Sequence, residues 1–283
     1  MSQYFKRFIL LIILIGCRDN PVDNNSVKEN DPFSSLSKDS IIVPTTLMKS
    51  KIVFSFFEEI TTTGRPIELF FNTVEIYPSG GYSIVGNVHH SGTNIEIQLD
   101  SVIAPQVGPG ISVPASVPFN LGNLINNLYD ITININGQKV RALFLVSDTS
   151  YILKIQPNNF IALSRTRLLR VPNNIIWGQA ESISPTVYQQ FIDSLIVAGA
   201  KPANILVGDY GLYFKIVSAD SFYIPSVMGM RYGKYFLYEF NADTSVSRNL
   251  VKSFAKKYGD AVYIQLTGGR GEMYYTTVLK WEP

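Results

Sequence analysis

The residues between positions 50 and 155 alternate between apolar and polar side chains with a period of two. This pattern is typical of β-strands that are buried on one face. The segment 95–100 reads IEIQLD, and the segment 129–135 repeats the alternation as YDITINI. Asn136 and Gly137 follow directly, and both residue types tolerate the positive φ angles of a tight hairpin turn. The pattern therefore predicts a series of short strands joined by turns.

A stretch rich in proline interrupts this series of strands. Because a prolyl nitrogen has no hydrogen to donate to a neighbouring strand, proline is rarely found inside a central strand of a sheet. The sequence therefore predicts a long connection here rather than a strand. The prolines concerned are Pro105, Pro109, Pro114 and Pro118.

The C-terminal part of the chain adds helical periodicity to the strand signals. Ser184 followed by Pro185 predicts a helix start, because serine caps the first turn and proline suits the first helical position. Apolar residues then recur every three to four positions up to Gly199, where the helix is predicted to end. A second helix is predicted over 244–259, with an apolar face formed by Val246, Leu250, Phe254 and Tyr258. Strands are predicted over 168–177, 205–217 and 235–240, and in a closing hairpin over 261–267 and 272–281.

These patterns predict a β-rich chain with two folded domains. Residues 50–157 contain short strands without a helical period, which indicates an antiparallel β-sandwich. Residues 165–283 follow the order strand, helix, strands, helix, strands. That order suits a small α+β sandwich of the ferredoxin-like kind, with two helices on one face of an antiparallel sheet.

The segment 124–131, which reads LINNLYDI, resembles the tyrosine corner of immunoglobulin-like folds. In that corner a tyrosine at the start of a late strand bonds back to the backbone upstream. The resemblance makes Tyr129 that residue and implies an immunoglobulin-like β-sandwich for residues 50–157. It does not imply an antibody-type domain, because the Cys–Trp–Cys hallmark of those domains is absent.

The N-terminal residues have the pattern of an export signal. Positions 8–15 form an unbroken apolar run of eight residues after a short basic start. A membrane span needs about 20 apolar residues, so this run fits the core of a signal peptide instead. The run ends in Leu14-Ile15-Gly16-Cys17, which resembles the lipobox of bacterial lipoproteins. The resemblance implies cleavage between Gly16 and Cys17, followed by lipidation of the Cys17 sulfur and amino terminus.

The segment that follows the lipobox predicts a tether. Residues 17–49 are rich in Asn, Asp, Ser and Pro and are expected to be disordered, because they offer little apolar surface to bury. In the known sorting rule for such lipoproteins, Asp directly after the cysteine retains the protein at the inner membrane. Arg18 occupies that position, which favours an outer-membrane destination. Loss of the signal peptide 1–16 removes two of the 24 basic residues and leaves a balance against 22 acidic ones.

Cysteine and histidine, which serve in many catalytic and metal sites, are scarce. The chain has one cysteine, which excludes an internal disulfide, and two adjacent histidines, His89 and His90. Neighbours on a strand point to opposite faces, so these histidines are not expected to share a metal. The run 268–271, GGRG, is predicted to be a hairpin turn, because no helix follows it as in a phosphate-binding loop. No cofactor or metal is therefore expected, and the balanced charge argues against nucleic-acid binding.

Aromatic residues carry the remaining functional signal. The chain has 16 Tyr and 17 Phe, and exposed Tyr and Trp residues provide contact surface for sugars and proteins. The residues predicted to form a ligand platform in the C-terminal domain are Trp177, Tyr232, Tyr235 and Tyr274.

The combined prediction is a non-enzymatic envelope lipoprotein, held in the membrane by its lipid, that binds a protein or glycan partner. An alternative is a carboxylate-dependent hydrolase with its site in the C-terminal domain near Trp177. Two carboxylates roughly 5–10 Å apart across an aromatic cleft would favour the hydrolase. A third alternative is a structural spacer whose contact between domains is its only task.

Overall fold

A computed structural model describes residues 50–78, 80–105, 110–218, 221–226 and 228–280. The lipobox with Cys17 and the predicted tether 17–49 lie outside the described residues. The chain is β-rich, and no helix in the part that the structure describes is long and apolar enough to cross a membrane.

Ten strands form the first and largest sheet. They are β1 (Ile52–Glu58), β2 (Pro66–Tyr77), β3 (Ser83–Ser91), β4 (Asn94–Ile103), β5 (Val113–Asn123), β6 (Asn127–Ile135), β7 (Gln138–Val146), β8 (Ser150–Ile155), β9 (Ile161–Leu163) and β10 (Arg167–Leu169). Their order in the sheet is β10-β8-β7-β6-β4-β3-β5-β2-β1-β9. The two outermost strands, β9 and β10, are consecutive in the chain, so the sheet curls until its ends approach each other.

The interior of the curled sheet is apolar, as the alternation in the sequence predicts. Ile95, Ile97 and Leu99 are fully buried, while the polar residues between them remain outside the core. Phe54 and Phe71, opposite each other on β1 and β2, stack with ring centroids 4.4 Å apart. The period of two thus places one face of these strands in a common core.

The turn at Asn136-Gly137 is confirmed. Asn136 has φ 53° and Gly137 has φ 75°, which are the backbone angles that a two-residue hairpin of this type requires. The hydrogen bond expected of a tyrosine corner is also present, because the Tyr129 hydroxyl donates to the Ile125 carbonyl oxygen at 3.0 Å.

The prediction of a loop in the proline-rich stretch is wrong over residues 113–123. These residues form strand β5, which lies between β3 and β2 in the sheet. The pairing explains how Pro114 and Pro118 fit there. β5 pairs with β2 along most of its length, but with β3 at only one position, Ser83 with Ser116. Most of one edge of β5 is therefore unpaired, and the missing N–H groups of the prolines cost little.

The second sheet and its helices follow along the chain. Their elements are β11 (Ile175–Ser182), α1 (Pro185–Val197), β12 (Lys201–Pro202), β13 (Gly208–Asp209), β14 (Lys215–Ser218), β15 (Ser221–Tyr223), β16 (Tyr232–Glu239), α2 (Thr244–Tyr258), β17 (Val262–Gly268), β18 (Met273–Tyr275) and α3 (Thr276–Leu279). The sheet order is β12-β16-β11-β17-β18, with every neighbouring pair antiparallel. The strands β13, β14 and β15 form a separate three-stranded sheet.

The central strand β11 is buried along its whole length, because both faces of the second sheet are covered there. On one face, Ala180 packs among Phe191 of α1 and Val251 of α2. On the other face, Trp177 packs with Phe214, which lies beside the three-stranded sheet.

The predicted helix boundaries are confirmed within a residue or two. Helix α1 begins after Ser184, with Pro185 as its first residue, and Gly199 beyond its end has φ 102°. Helix α2 ends at Tyr258 with Gly259 as its C-cap, and its N-cap Asp243 accepts a hydrogen bond from the backbone N–H of Ser245 at 2.8 Å.

The prediction of the buried face of α2 is wrong, because the buried residues are displaced around the helix by part of a turn from the predicted ones. Its most buried residues are Ser247, Val251, Phe254 and Ala255. Val246, Leu250 and Tyr258 of the predicted face are only partly buried at its side. Small side chains at 247 and 255 allow the helix to lie close to the sheet, which a count of large apolar residues does not reveal.

Three predicted strands differ in the structure. The predicted strand 205–217 is divided into β13 and β14, because the chain turns between Asp209 and Lys215 and the two short strands pair with each other. The predicted strand 168–177 is divided by Pro172 into β10, which belongs to the first sheet, and β11, which belongs to the second. The predicted strand 272–281 ends at Tyr275, where α3 begins. Here the Thr276 hydroxyl donates to the Val262 carbonyl and accepts from the Ile264 N–H, so a side chain replaces strand pairing.

Candidate functional site

The sheet separates the four residues of the predicted aromatic platform into two pairs. In the register of β11 and β16, Trp177 lies opposite Leu237 and Tyr235 lies opposite Gln179, so both aromatic residues project from one face. Tyr232 lies opposite Ser182 on the other face, which is the face that carries the helices. Tyr274 also belongs to the helix face. The four residues therefore do not form one platform.

Trp177 is a core residue rather than an exposed one. It is 3% exposed, and the edges of Tyr213 and Phe214 contact it with ring centroids 5.3 Å away. On the helix face, the Tyr274 hydroxyl donates to the Thr244 carbonyl oxygen at 3.2 Å, at the start of α2. Of the four predicted residues, only Tyr235 lies with a group of polar and aromatic side chains that sequence reasoning did not identify.

These side chains form what we call the tyrosine–amide face. Four adjacent strands contribute one residue each to a row across the sheet, on the face opposite the helices. The row is Tyr235, Gln179, Gln265 and Tyr275. In the next row, Glu181 lies between Gly233 and Tyr263. The face consists of these seven residues.

Glu181 is a buried carboxylate at one side of this face. It is 1% exposed, and its Oε2 accepts hydrogen bonds from the backbone N–H groups of Gly229 at 2.6 Å and Met230 at 2.7 Å. A side chain at Gly233 would collide with it, because an added Cβ would lie 2.9 Å from the Glu181 Cγ. The glycine thus provides the space for the carboxylate, and the backbone N–H groups compensate its burial.

The charge of Glu181 affects the nearby phenols. Burial raises the pKa of Tyr263, and the negative charge of Glu181 raises it further. Burial likewise raises the pKa of Tyr235, with a second contribution from Glu181. Both hydroxyls are therefore held in the neutral, hydrogen-bonding form.

Ser226 connects two members of the row. Its hydroxyl donates to Gln179 Oε1 at 2.6 Å, and its carbonyl oxygen accepts from the Tyr235 hydroxyl at 2.6 Å. On the opposite side of the row, the Tyr263 hydroxyl donates to Gln265 Oε1 at 3.5 Å. Ser226 thus covers Gln179, which is 3% exposed, whereas Tyr263, Gln265 and Tyr275 remain partly exposed.

A signal for this face is present in the sequence. The strand 175–182 reads IIWGQAES, with Gln179 and Glu181 two residues apart, and the strand 262–268 reads VYIQLTG, with Tyr263 and Gln265 two residues apart. Alternate positions of a strand share a face, so each strand by itself indicates a polar face. Only the register between the strands brings the two pairs together.

The predicted histidine and glycine sites behave as structural elements. His89 and His90 are exposed, and His90 Nε2 lies 2.9 Å from the Gly92 carbonyl oxygen. Among the described residues, no group of three or more His, Cys, Asp or Glu side chains could hold a metal. The glycine turn packs closely, because an added Cβ at Gly271 would lie 2.1 Å from the Thr61 carbonyl carbon.

A second buried carboxylate, Glu58, belongs to a structural cluster. It is 3% exposed and accepts a hydrogen bond from the Tyr151 hydroxyl at 2.6 Å. Arg65 lies 3.5 Å and Arg170 lies 3.4 Å from its carboxylate oxygens. The neighbouring Glu59 is exposed, so the two adjacent glutamates diverge, as expected for consecutive strand residues.

A groove of about 660 Å³ lies between α1 and α2. Leu250 and Phe254 provide apolar lining, and Asp193 and Lys257 contribute opposite charges. It lies on the opposite side of the sheet from the tyrosine–amide face.

Comparison of the chain with protein-family models, with curated proteins and with solved structures finds no match.

Proposed function

We propose that the chain is an outer-membrane lipoprotein, attached through lipid on Cys17, and that it binds a partner through the tyrosine–amide face. The observation that carries the binding role is the partly exposed group of Tyr263, Gln265 and Tyr275, in which two phenols and an amide from neighbouring strands share one surface. Such side chains offer wide contact area together with hydrogen bonds, at a low cost in conformational entropy.

The membrane attachment is supported by the sequence. Leu14-Ile15-Gly16-Cys17 stands at the end of an apolar run too short to span a bilayer, and Cys17 is the only cysteine in the chain. Acyl chains contribute roughly 0.8 kcal/mol of membrane affinity per buried CH₂ group, so two or more chains form a stable anchor. Arg18 supports the outer membrane as the destination.

We also propose that the two parts of the chain are variants of known architectures. The contact of Tyr129 with the Ile125 carbonyl supports an immunoglobulin-like origin for residues 50–157. The elements β11, α1, β12, β16, α2 and β17, in the sheet order β12-β16-β11-β17, support a ferredoxin-like split βαβ arrangement for residues 165–283. On this view, β13, β14 and β15 are an insertion between the second and third strands of that arrangement.

The surroundings of Glu181 support binding rather than hydrolysis. A glycosidase-type site needs two carboxylates across the substrate. In the described sheet register, the direct neighbours of Glu181 on its face are Gly233, Tyr263 and Gln179, none of them acidic. Its Oε2 is already used by two backbone N–H groups.

Site-specific photo-crosslinking in intact cells tests the binding role. A photoreactive phenylalanine analogue is placed at Tyr263, and at Tyr232 on the opposite face as the matched control. We expect a discrete adduct from position 263 and none from position 232. Equal adduct formation at both positions, or none at either, would contradict the assignment of the face.

The membrane attachment has its own test. We expect full-length protein to partition into the outer-membrane fraction, and the variant Cys17→Ser to lose that attachment. Metabolic labelling with a palmitate analogue distinguishes lipidation from simple secretion. A variant that remains membrane-bound without label would contradict the anchor.

A further inference from the structure

We infer that one end of the first sheet docks on the lipid bilayer through four exposed aliphatic residues, Val74, Ile76, Val85 and Ile103, which we call the aliphatic patch. The inference rests on the proposed lipid attachment and adds the surface that the folded chain turns toward the membrane. It follows from the place of the patch in the sheet, from the point at which the chain enters the sheet, and from the side chains around the patch.

Strand pairing places Ile103 on the outer face of the first sheet. Ile103 on β4 lies opposite Ser83 on β3, and Ser83 lies opposite Ser116 on β5. Ser116 in turn lies opposite Asn72 on β2. Ile84, which follows Ser83 and points the other way, is buried in the core. The row from Ile103 to Asn72 therefore faces outward, and its three steps of about 4.8 Å span about 14 Å.

The other members of the patch share this outward face, because alternate positions of a strand point the same way. Val85 lies two positions beyond the β3 member of the row, and Val74 and Ile76 lie two and four positions beyond Asn72. The pairing of β2 with β5 is irregular after Asn72, but it resumes with Ile76 opposite Pro114. The end of the sheet thus presents an uncovered aliphatic surface.

The chain enters the first sheet beside this patch. The Val74 N–H donates to the Lys51 carbonyl oxygen at 2.8 Å, and the Glu75 N–H donates to the Ser50 hydroxyl oxygen at 2.9 Å. Thirty-two residues separate Ser50 from the proposed lipid on Cys17. A flexible chain of that length spans on the order of 30 Å. The attachment therefore keeps the patch within reach of the bilayer and raises its local concentration there.

The side chains around the patch suit a lipid surface, because charged groups stand at its margin. Asp100 accepts a hydrogen bond from the Gln98 amide at 2.9 Å. Glu75 accepts one from the Tyr77 hydroxyl at 3.3 Å, on the other side of β2 from the patch. Lys51 is exposed where the chain enters, and its ammonium group matches the phosphates of lipid headgroups.

The composition of the patch favours lipid over a protein partner. The residues that contribute most to protein–protein binding are mainly Trp, Tyr and Arg, and valine is under-represented among them. The patch consists of two valines and two isoleucines. Binding at a lipid interface grows with the apolar area that is buried, and aliphatic side chains supply that area.

The experiment uses the lipidated full-length chain in vesicles of phosphatidylethanolamine and phosphatidylglycerol in equal amounts. One isoleucine at a time is replaced by a cysteine that carries the environment-sensitive dye nitrobenzoxadiazole. Ile76→Cys is matched with Ile183→Cys, at 63% and 66% exposure, and Ile103→Cys is matched with Ile196→Cys, at 51% and 50%. Ile183 precedes α1 and Ile196 lies on it. Cys17 takes no dye when its sulfur carries lipid, and thermal unfolding establishes that each labelled variant is folded.

We expect a lipid with a nitroxide on its acyl chain to quench the dye at positions 76 and 103 and to leave it unchanged at positions 183 and 196. With the dye at position 103, Ile76→Ala should lower the ratio of docked to undocked chain about tenfold, because fewer methyl groups enter the lipid. Ile183→Ala is the matched control and should leave this ratio unchanged.

Equal quenching at all four positions, or at none of them while the chain stays on the vesicles, would overturn the inference and leave the lipid attachment intact. A shift of the dye at position 76 to shorter wavelength without quenching would mean that protein, from this chain or a second copy, covers the patch, which would also overturn it. A chain that separates from the vesicles on flotation, or a Cys17 that reacts with the dye, would contradict the attachment and the inference with it.

Discussion

Tyr151 on β8 donates its hydroxyl to the buried carboxylate of Glu58 at the end of β1, with an oxygen–oxygen distance of 2.6 Å. Two arginines approach the same carboxylate and extend the network along the chain. Arg65 also donates to the Val171 carbonyl at 2.6 Å, just before β11 begins. Arg170 donates to the Ser147 carbonyl at 2.9 Å. The carboxylate thus lies where the first sheet meets the start of the second.

Replacement of Glu58 by glutamine tests how much this network contributes to the stability of the fold. Glu58→Gln preserves the size of the side chain but leaves Arg65 and Arg170 without their buried counter-charge. We expect the free energy of unfolding to fall by about 3 kcal/mol, measured by urea denaturation at neutral pH. Glu59→Gln is the matched control, because Glu59 is exposed, and it should change stability by less than about 0.5 kcal/mol. Equal effects of both variants would contradict the role of the network.

Alkaline pH should destabilise the protein through buried tyrosines. Burial raises the pKa of Tyr151 and of Tyr213 far above the value of about 10 that an unfolded chain has, and nearby glutamates raise both further. Below pH 10 both states keep these protons, so the stabilisation is fully present. Above pH 10 the unfolded state loses protons that the folded state keeps, so stability falls as the pH rises.

The measurement for this prediction is the urea midpoint between pH 8 and pH 11. Tyr151→Phe and Tyr213→Phe should each show a smaller decline than the unchanged protein, whatever their stability at pH 8. Tyr232→Phe is the control and should keep the full decline. An unchanged slope in both test variants would refute the assignment.

A methyl group at Gly271 should destabilise the junction between the closing hairpin and the first sheet. Gly271 has φ 88°, and an added Cβ would meet the Thr61 backbone at 2.1 Å. We expect Gly271→Ala to lower stability by about 2–4 kcal/mol, because it combines an unfavourable φ with a backbone collision. Gly137→Ala has a similar φ of 75° but no atom within 4 Å of its Cβ, so only about 1 kcal/mol should be lost. Thermal unfolding of the two variants separates the collision from the strain.

The buried charge of Glu181 should hold the backbone around Gly229 and Met230. Glu181→Gln keeps an oxygen acceptor but removes the charge that strengthens both hydrogen bonds. We expect amide exchange at these two positions to accelerate about fivefold, as measured by hydrogen exchange with NMR detection. Glu59→Gln again serves as the control. Exchange that is unchanged in Glu181→Gln would show that other contacts hold this segment.

Local patterns in the sequence predict local structure well in this chain. Asn136-Gly137 and Ser184-Pro185 determine a turn and a helix start through backbone angles that few other residues adopt, so these predictions are confirmed. β5 was not predicted, because the sequence contains Pro114 and Pro118 but does not indicate that one edge of the strand is nearly unpaired. Whether a proline is tolerated depends on which edge of the strand is paired.

The candidate site likewise combines features that local sequence patterns predict with features that depend on contacts between distant residues. The sequence predicts a platform that includes Tyr235, and the alternation of Gln179 with Glu181 is visible in the strand pattern. The same pattern assigns Trp177 to the platform, because exposed and buried aromatic residues look alike in a strand pattern. Phe214, which directly precedes β14 of the separate three-stranded sheet, packs against Trp177, and no local signal predicts that contact.

The short outer strands of the two larger sheets have a consequence for behaviour at high concentration. The first sheet ends in β9 and β10, of three residues each, and the second ends in β12 and β18, of two and three residues. A sheet edge recruits another chain through its row of unpaired backbone groups, and edges this short offer few of them. The ends of the two sheets should therefore recruit few additional strands when many copies are crowded together.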